Sequence, residues 1–359
     1  MILSQLTLQQ FRSYSKRTFE FSSGITLLVG DNTVGKTNIL EAIYTLATGK
    51  SFRADMDREM IAWDEDVGRI RGVGEDIKLE VVLTSGVVGG EHTPLKKYLV
   101  NGVSRRMIDF VGNLRAVLFW PEHLELVTDS PSMRRRYLDS VLVQVDREYR
   151  RNLLSYERGL RQRNRLLDFI NEGTASRSQL LFWNQLLIRS GSYITDKRAE
   201  FIHFINTYQV SLSAQAGIHN YQLMYDKSVI SETRLAQYAQ EEVAAKATLV
   251  GPHRDDIVFY KQRKKEQLDL SKYGSRGEQR LAILWLKLAE VAYIEKIIGE
   301  RPILLLDDIF SELDDEHREL VFDVMKKQQT IVTSAEKEVM TLLKRKSPDI
   351  VVISLGVRK

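Results

Sequence analysis

The chain has 359 residues, 43% of them hydrophobic, with 52 basic and 48 acidic side chains and a formal net charge of +4. That length suits two domains, or one domain carrying a long insertion, with ample apolar material for a core. The absence of cysteine excludes disulfides, thiolate zinc sites and iron–sulfur ligation, and no run reaches the roughly 18 apolar residues of a bilayer span. No basic patch followed by an apolar run comes after Met1, so a cytoplasmic location with no membrane partner is expected. The mild net charge is a weak pointer to nucleic acid by itself.

In chain order, residues up to 30 read as strands: 15–21 alternates, and Gly24-Ile-Thr-Leu-Leu-Val-Gly30 is a buried strand entering a turn. After it, Ile39, Leu40, Ile43, Tyr44, Leu46 and Ala47 have helical spacing. Residues 68–120 read as antiparallel strands. Within them 78–83 alternates, Asn101-Gly102 marks a hairpin, and 114–119 is a strand closed by Pro121. The character changes at Asp129-Ser-Pro-Ser-Met133. One helix is predicted over 133–171 and a second over 178–215, with Gly191 as a weak point. A strand at 220–225 and a short helix at 232–245 follow. Strand character returns at Thr248 and 257–260, with 261–266 as an exposed polar turn. The spacing then predicts a helix over 277–297 and parallel core strands at 303–308, 330–333 and 349–353.

This pattern predicts an α/β protein: residues 1–128 and 247–359 form one head with mixed sheets, and 129–246 form an inserted helical lobe. The heptad spacing of the lobe is too loose for a sustained coiled coil.

Two segments at opposite ends of the chain carry phosphate chemistry. The loop Gly30-Asp31-Asn32-Thr33-Val34-Gly35-Lys36-Thr37, continuing to Asn38, lies between a strand and a helix. Its glycines let several backbone N–H groups face one anion. Lys36 reaches the β- and γ-phosphates, the Thr37 hydroxyl is the expected Mg²⁺ ligand, and the helix adds its positive end. The apolar run Ile303-Leu-Leu-Leu-Asp-Asp308 ends in two carboxylates, where open sheets bind ligands. Asp307 is placed to hold the metal and Asp308 to polarise an attacking water. Ser311-Glu-Leu-Asp314 reads as the turn feeding the next helix, with Asp314 as a cap or a contact across a dimer.

Between these halves, Ser275, Arg276, Gly277 and Gln279 precede or open an apolar helix. They form either an ordinary helix cap or a second phosphate-facing helix end offered to a neighbouring subunit. Arginines at 134–136, 147, 150, 151, 158, 161, 163 and 165 form either a solvated helix face or a DNA-backbone contact. Gly251-Pro-His-Arg-Asp-Asp256 is either a rigid return loop, with Arg254 paired to Asp255 or Asp256, or a surface loop that contacts DNA or transmits the position of the helical arm. No second histidine has ligand spacing near His253.

The combination resembles the RecF family of recombination mediators, related to the structural-maintenance-of-chromosomes ATPases. The strings are Leu8-Gln-Gln-Phe-Arg-Ser-Tyr14, Gly30 to Asn38, Phe119-Trp-Pro-Glu-His-Leu124 and Arg134-Arg-Arg-Tyr-Leu-Asp139. They continue with Gly251 to Asp256, Ser275 to Arg280, and Leu304 to Asp314. The resemblance implies an ABC-type ATPase head using ATP and Mg²⁺, with 275–279 as the signature placed against a partner's ATP. It implies an ATP-dependent homodimer on DNA, weak DNA-stimulated hydrolysis, and work with RecR and RecO to load RecA at gaps, with links to replication and the SOS response. Glu122 stands in the lobe-linking segment where relatives carry a glutamine, and is assigned a catalytic role only by that position. Thr333-Ser334 stands where related transporters carry a histidine, which suggests a slower or differently triggered hydrolysis step. The other readings are an ATP-gated structural clamp without turnover and the ATPase subunit of a transport complex.

Overall fold

The computed structural model describes residues 2–208, 218, 220–263 and 266–356, without the side chains of 311, 312, 337 and 338. The chain forms two compact units. Met1–His123 with Glu290–Lys359 make the first, and Leu124–Ser211 with Ile218–Ala289 make the second. The stretch 247–289, which the sequence placed with the head, therefore packs in the second unit. Its strand Asp256–Arg263 pairs there with Tyr221–Asp226.

The first unit is built on a five-stranded sheet in the order Ala116–Phe119, Ile303–Asp307, Thr330–Ser334, Ile25–Val29, Val351–Ser354. All its neighbours are parallel. Leu27, Leu28, Leu305, Leu306, Ile331 and Val332 are fully buried, because a parallel sheet is covered on both faces. The same reason corrects the reading of 114–119. Ala116–Phe119 is buried throughout and joins this parallel sheet beside Ile303–Asp307 instead of the antiparallel one. Both chain ends are tied together by Gln329, whose buried amide accepts from Leu3 N–H and donates to the Leu3 and Ser22 carbonyls, all at 2.8 Å.

A six-stranded sheet lies in the same unit, in the order Tyr14–Glu20, Gln5–Phe11, Val67–Val73, Lys78–Thr84, Lys96–Val100, Val103–Arg105. Its pairings are antiparallel. The Asn-Gly hairpin is present, with Asn101 at φ 51° and Gly102 at φ 79°.

The second unit holds the helices Pro131–Val145, Arg147–Asn171 and Leu180–Thr207. The single helix predicted over 133–171 is broken at Asp146, whose backbone turns extended and whose carboxylate caps the second helix by accepting from Tyr149 N–H. The second predicted helix ends at Thr207, and 209–215 lie outside the described residues, as do 264–265 of the polar turn. Gly191 is a packing point instead of a weak one. A Cβ there would come within 2.7 Å of Ile230 and 3.0 Å of Tyr156. Residues 232–245 form two short helices, Glu232–Gln237 and Ala239–Ala245. Thr248 lies in no strand, and its side chain instead accepts from Arg163 at 2.8 Å.

Charges hold this unit together from inside. Arg198 donates to Asp255 at 2.9 Å, to Asp139 at 2.8 Å and to the Pro252 carbonyl at 2.7 Å. Arg134 binds both oxygens of Asp256, and Arg163 binds Glu242 at 2.6 Å with both side chains buried. The segment 251–256 is thus a strap held by ion pairs, with Gly251, Pro252 and Asp255 buried and Arg254 exposed. Arg254 donates to the Thr248 carbonyl at 3.2 Å instead of forming the predicted pair, because Arg134 and Arg198 already take the two aspartates. Among the described residues no helix is long and apolar enough to cross a membrane.

Candidate functional site

The strand Ile25–Val29 delivers the chain into the phosphate loop at the carboxyl edge of the parallel sheet. Gly35 has φ 102°, a conformation open to glycine. A Cβ there would also meet the Tyr14 hydroxyl at 2.8 Å. Gly30 serves close approach instead of unusual curvature, since a Cβ would come within 2.5 Å of the Leu355 carbonyl oxygen. Thr33 takes φ 73°, and the Val34 carbonyl accepts from Tyr14 at 3.5 Å. The helix Lys36–Thr48 then starts, packed on the core through Ile39, Leu40 and Ile43.

Lys36 is only 8% exposed. Its ammonium donates to the carbonyls of Gly30 at 2.6 Å and Asp31 at 2.9 Å. Burial lowers its pKa, opposed by the charges of Asp308, Asp307 and Asp31. The loop end and the strand end meet at Asp307. Thr37 donates its hydroxyl to Asp307 Oδ1 at 3.2 Å, and Thr333 does so at 2.6 Å. Thr333 Oγ1 in turn accepts from Asp308 N–H at 3.1 Å. The register explains this, because Asp307 stands directly beside Thr333 in the parallel ladder. Burial pushes the Asp307 carboxyl above its ordinary range, against the two hydroxyl bonds that favour its anion. Asp308 sits at φ 51°, which turns its side chain away from the strand path into the cleft.

These groups border one cleft of about 560 Å³. Asn32, Thr33, Gly35, Lys36, Thr37 and Asn38 line one side, with Asp307, Asp308 and Glu122 also on its wall. Glu122 is exposed. Ser13, Arg53, Trp120 and Pro121 line it too, and no functional role was read for them from sequence. Arg53 is placed by Glu41, a fully buried carboxylate that also binds Arg12 at 2.6 Å and Ser51 at 2.6 Å. Burial works against the Glu41 charge, but the bonds from Arg12 and Arg53 outweigh it and hold the carboxyl below its ordinary range. Asn38 donates to Ser13 at 2.8 Å and accepts from Arg53. The signal for Ser13 lay in the string 8–14; Arg53, in a patternless loop, had none.

The donor set suits a hard cation. Thr37 and Asp307 offer oxygens a hydrogen bond apart, and Mg²⁺ is commonly held by one or two such groups plus phosphates. Among the described residues no cluster of three or more histidine or acidic side chains forms an all-protein metal cage.

Ser275, Arg276, Gly277 and Gln279 do not line this cleft. They lie in the second unit, at the start of the helix Arg276–Ile298. Ser275, Arg276 and Gly277 are exposed. Gln279 is buried, and its amide donates to the Leu270 carbonyl at 2.8 Å, so its side chain braces the preceding turn.

Thr333→Val keeps the side-chain shape but removes one acceptor and one donor at the strand end. ATP binding is expected to stay within about twofold while hydrolysis falls by about tenfold, the scale of one lost hydrogen bond. Single-turnover phosphate release checks this, and an unchanged rate would mean that Thr333 does not hold the carboxylates.

The sequence profile described as RecF/RecN/SMC N terminal domain matches residues 2–348. The chain is 36% identical to the DNA replication and repair protein RecF of Lachnoclostridium phytofermentans, with 93% of this chain and 92% of that one covered. It is 35% identical to the RecF of Bacillus cytotoxicus over the same shares. Among solved structures, the recombination mediator protein RecF with ATP, in the RecFOR pathway, superposes with a TM-score of 0.83 at 28% identity, covering 94% of this chain and 92% of that one. An SMC head bound to the C-winged helix domain of ScpA, at 18% identity and a TM-score of 0.51, covers 100% and 95% and shares the fold. With its ABC-type α/β fold, the chain belongs to the RecF family, within the wider group of RecF, RecN and SMC N-terminal domains.

Proposed function

We propose that this chain is an ATP-dependent DNA-binding protein of recombinational repair, in which ATP joins two copies around DNA and hydrolysis releases them. The observation that carries the reading is the meeting of Thr37 and Asp307 in one cleft, with the buried Thr333 holding Asp307 from behind. It joins a phosphate loop to an acidic strand end across 270 residues of sequence. A solved relative is the recombination mediator protein RecF with ATP, and the curated relatives are DNA replication and repair proteins.

In this reading the loop N–H groups and Lys36 bind the triphosphate, while Thr37 and Asp307 hold the metal. Bound Mg²⁺ would neutralise phosphate charge. Asp308 accepts a proton from the attacking water, and Glu122, on the cleft wall, orients it. Ser275, Arg276 and Gly277 of the partner copy meet the γ-phosphate, so each copy completes the other's pocket. The functional head is read as 1–128 with 247–359 and the inserted lobe as 129–246, although 247–289 packs in the same compact unit as the lobe. Cooperation with RecR, RecO and RecA at gapped DNA, weak DNA stimulation and a cytoplasmic setting belong to the same reading.

The DNA contact is narrower than the arginine count implied. Arg134, Arg150 and Arg163 are buried and serve the unit's interior. Arg147, Arg151, Arg158, Arg161 and Arg165 are exposed. At 100° per residue they fall within about 80° of one helix face, along roughly 27 Å. Such a rail suits sugar–phosphate backbone without base readout. The double variant Arg158→Ala/Arg161→Ala should reduce the salt slope of ATP-dependent duplex binding by about 2, near one per lost phosphate contact. Binding isotherms across salt concentrations test it, and an unchanged slope would remove this face from the DNA contact. Phosphate release with and without duplex separates this reading from a clamp without turnover. A membrane protein that copurifies stoichiometrically would favour the transport subunit.

A further inference from the structure

The first turn of the helix Arg276–Ile298 already holds an anion. Glu278 Oε2 accepts from Ser275 N–H at 3.0 Å and from the Ser275 hydroxyl at 3.1 Å, and Glu278 N–H returns a bond to Ser275 Oγ at 3.3 Å. That reciprocal pair is a capping box, which by itself needs nothing more. Here two cations from the neighbouring strand Asp256–Arg263 also converge on Oε1: Arg263 at 2.6 Å and Lys261 at 3.2 Å. A hydroxyl, a backbone N–H at a helix start, a guanidinium and an ammonium form the donor set that recognises a phosphate group. Burial disfavours the Glu278 charge, yet the bonds from Arg263, Ser275 and Lys261 hold the carboxyl down at about 2, so the anion is permanent near neutrality.

We propose that Glu278 is an internal stand-in for the partner's γ-phosphate, and that its displacement from Ser275 sets the ATP concentration at which two copies close. The inference rests on the reading of Ser275 as the group that meets the partner's ATP. One hydroxyl proton cannot serve two acceptors, and a carboxylate beside a γ-phosphate repels it. Docking therefore requires Glu278 to swing off Ser275. When it does, Lys261 and Arg263 lose their internal partner and can turn to the incoming phosphate. ADP has no γ-phosphate to drive the exchange, so the same carboxylate adds to discrimination between the two nucleotides.

Glu278→Gln retains the capping-box geometry and removes the charge. The test is light scattering of the full chain titrated with ATP, then with ADP, alongside thermal melting. The variant should associate at an ATP concentration at least about fivefold below wild type, with the melting midpoint little changed. Arg263→Ala, which leaves the carboxylate less neutralised, should move association the opposite way. Wild type that associates with ATP while E278Q is unchanged or weaker overturns this inference alone. Wild type that never associates overturns it together with the reading of Ser275. Opposite shifts in the two variants support it.

Discussion

Lys36→Met is expected to weaken ATP binding by about 100-fold, the loss of a charged hydrogen-bond donor plus its attraction to the triphosphate. The argument is electrostatic. Asp31, Asp307 and Asp308 all bear on the Lys36 ammonium. Removing that cation leaves three carboxylates around a polyanion, with Arg53, the backbone N–H groups and bound Mg²⁺ left to oppose them. Methionine nearly matches the lysine stem in length, and the site is largely buried, so the fold should persist with the Gly30 and Asp31 carbonyls turned to water. Titration with a fluorescent ATP analogue checks this, with circular dichroism to confirm the fold. Affinity within threefold of wild type would show that the loop does not read the phosphates through Lys36.

Ser275→Arg should separate binding from association. The residue does not border the cleft, so ATP affinity of the single chain should stay within about twofold, while a bulky cation replaces the hydroxyl offered to the partner. ATP-dependent dimers should be lost. The variant also loses the cap on the helix Arg276–Ile298, a cost of about 1 kcal/mol. Glu278 then accepts from the introduced guanidinium. Light scattering with ATP reads the outcome, and dimerisation equal to wild type would remove Ser275 from the interface.

Much of the architecture was readable because core strands carry short apolar runs, four residues at 303–306 and two at 331–332. Ile303–Asp307 and Thr330–Ser334 are buried at every position, as expected of a sheet covered on both faces. The phosphate loop was readable because its glycine, lysine and threonine spacing carries its own mechanism. Pairing across long separations was not readable. Nothing local distinguishes Ala116–Phe119, parallel to a strand almost 190 residues later, from a member of the antiparallel sheet that precedes it. Charge was misread for a related reason. Arg134 looks like a surface cation until Asp256, 122 residues away, is seen to bind it. Arg163 likewise needs Glu242. A buried arginine is defined by partners that the chain supplies elsewhere. The same holds for Arg53, which enters the cleft region through the Glu41 carboxylate and not through any pattern of its own. Gln279 shows the converse: a residue in a recognisable string whose side chain turns inward to Leu270.

The most direct measurement is site-specific crosslinking between position 275 of one copy and position 36 of another. Single cysteines can be introduced without background, since the natural chain has none. They are placed at Arg276 and Asn32, beside those positions, in two separately tagged populations. The account predicts a crosslink between copies that forms with a non-hydrolysable ATP analogue, is absent with ADP, and is strengthened by gapped DNA. Saturating analogue that yields no such crosslink, while mass measurements show a dimer or a monomer alike, would contradict the claim that each copy completes the other's pocket.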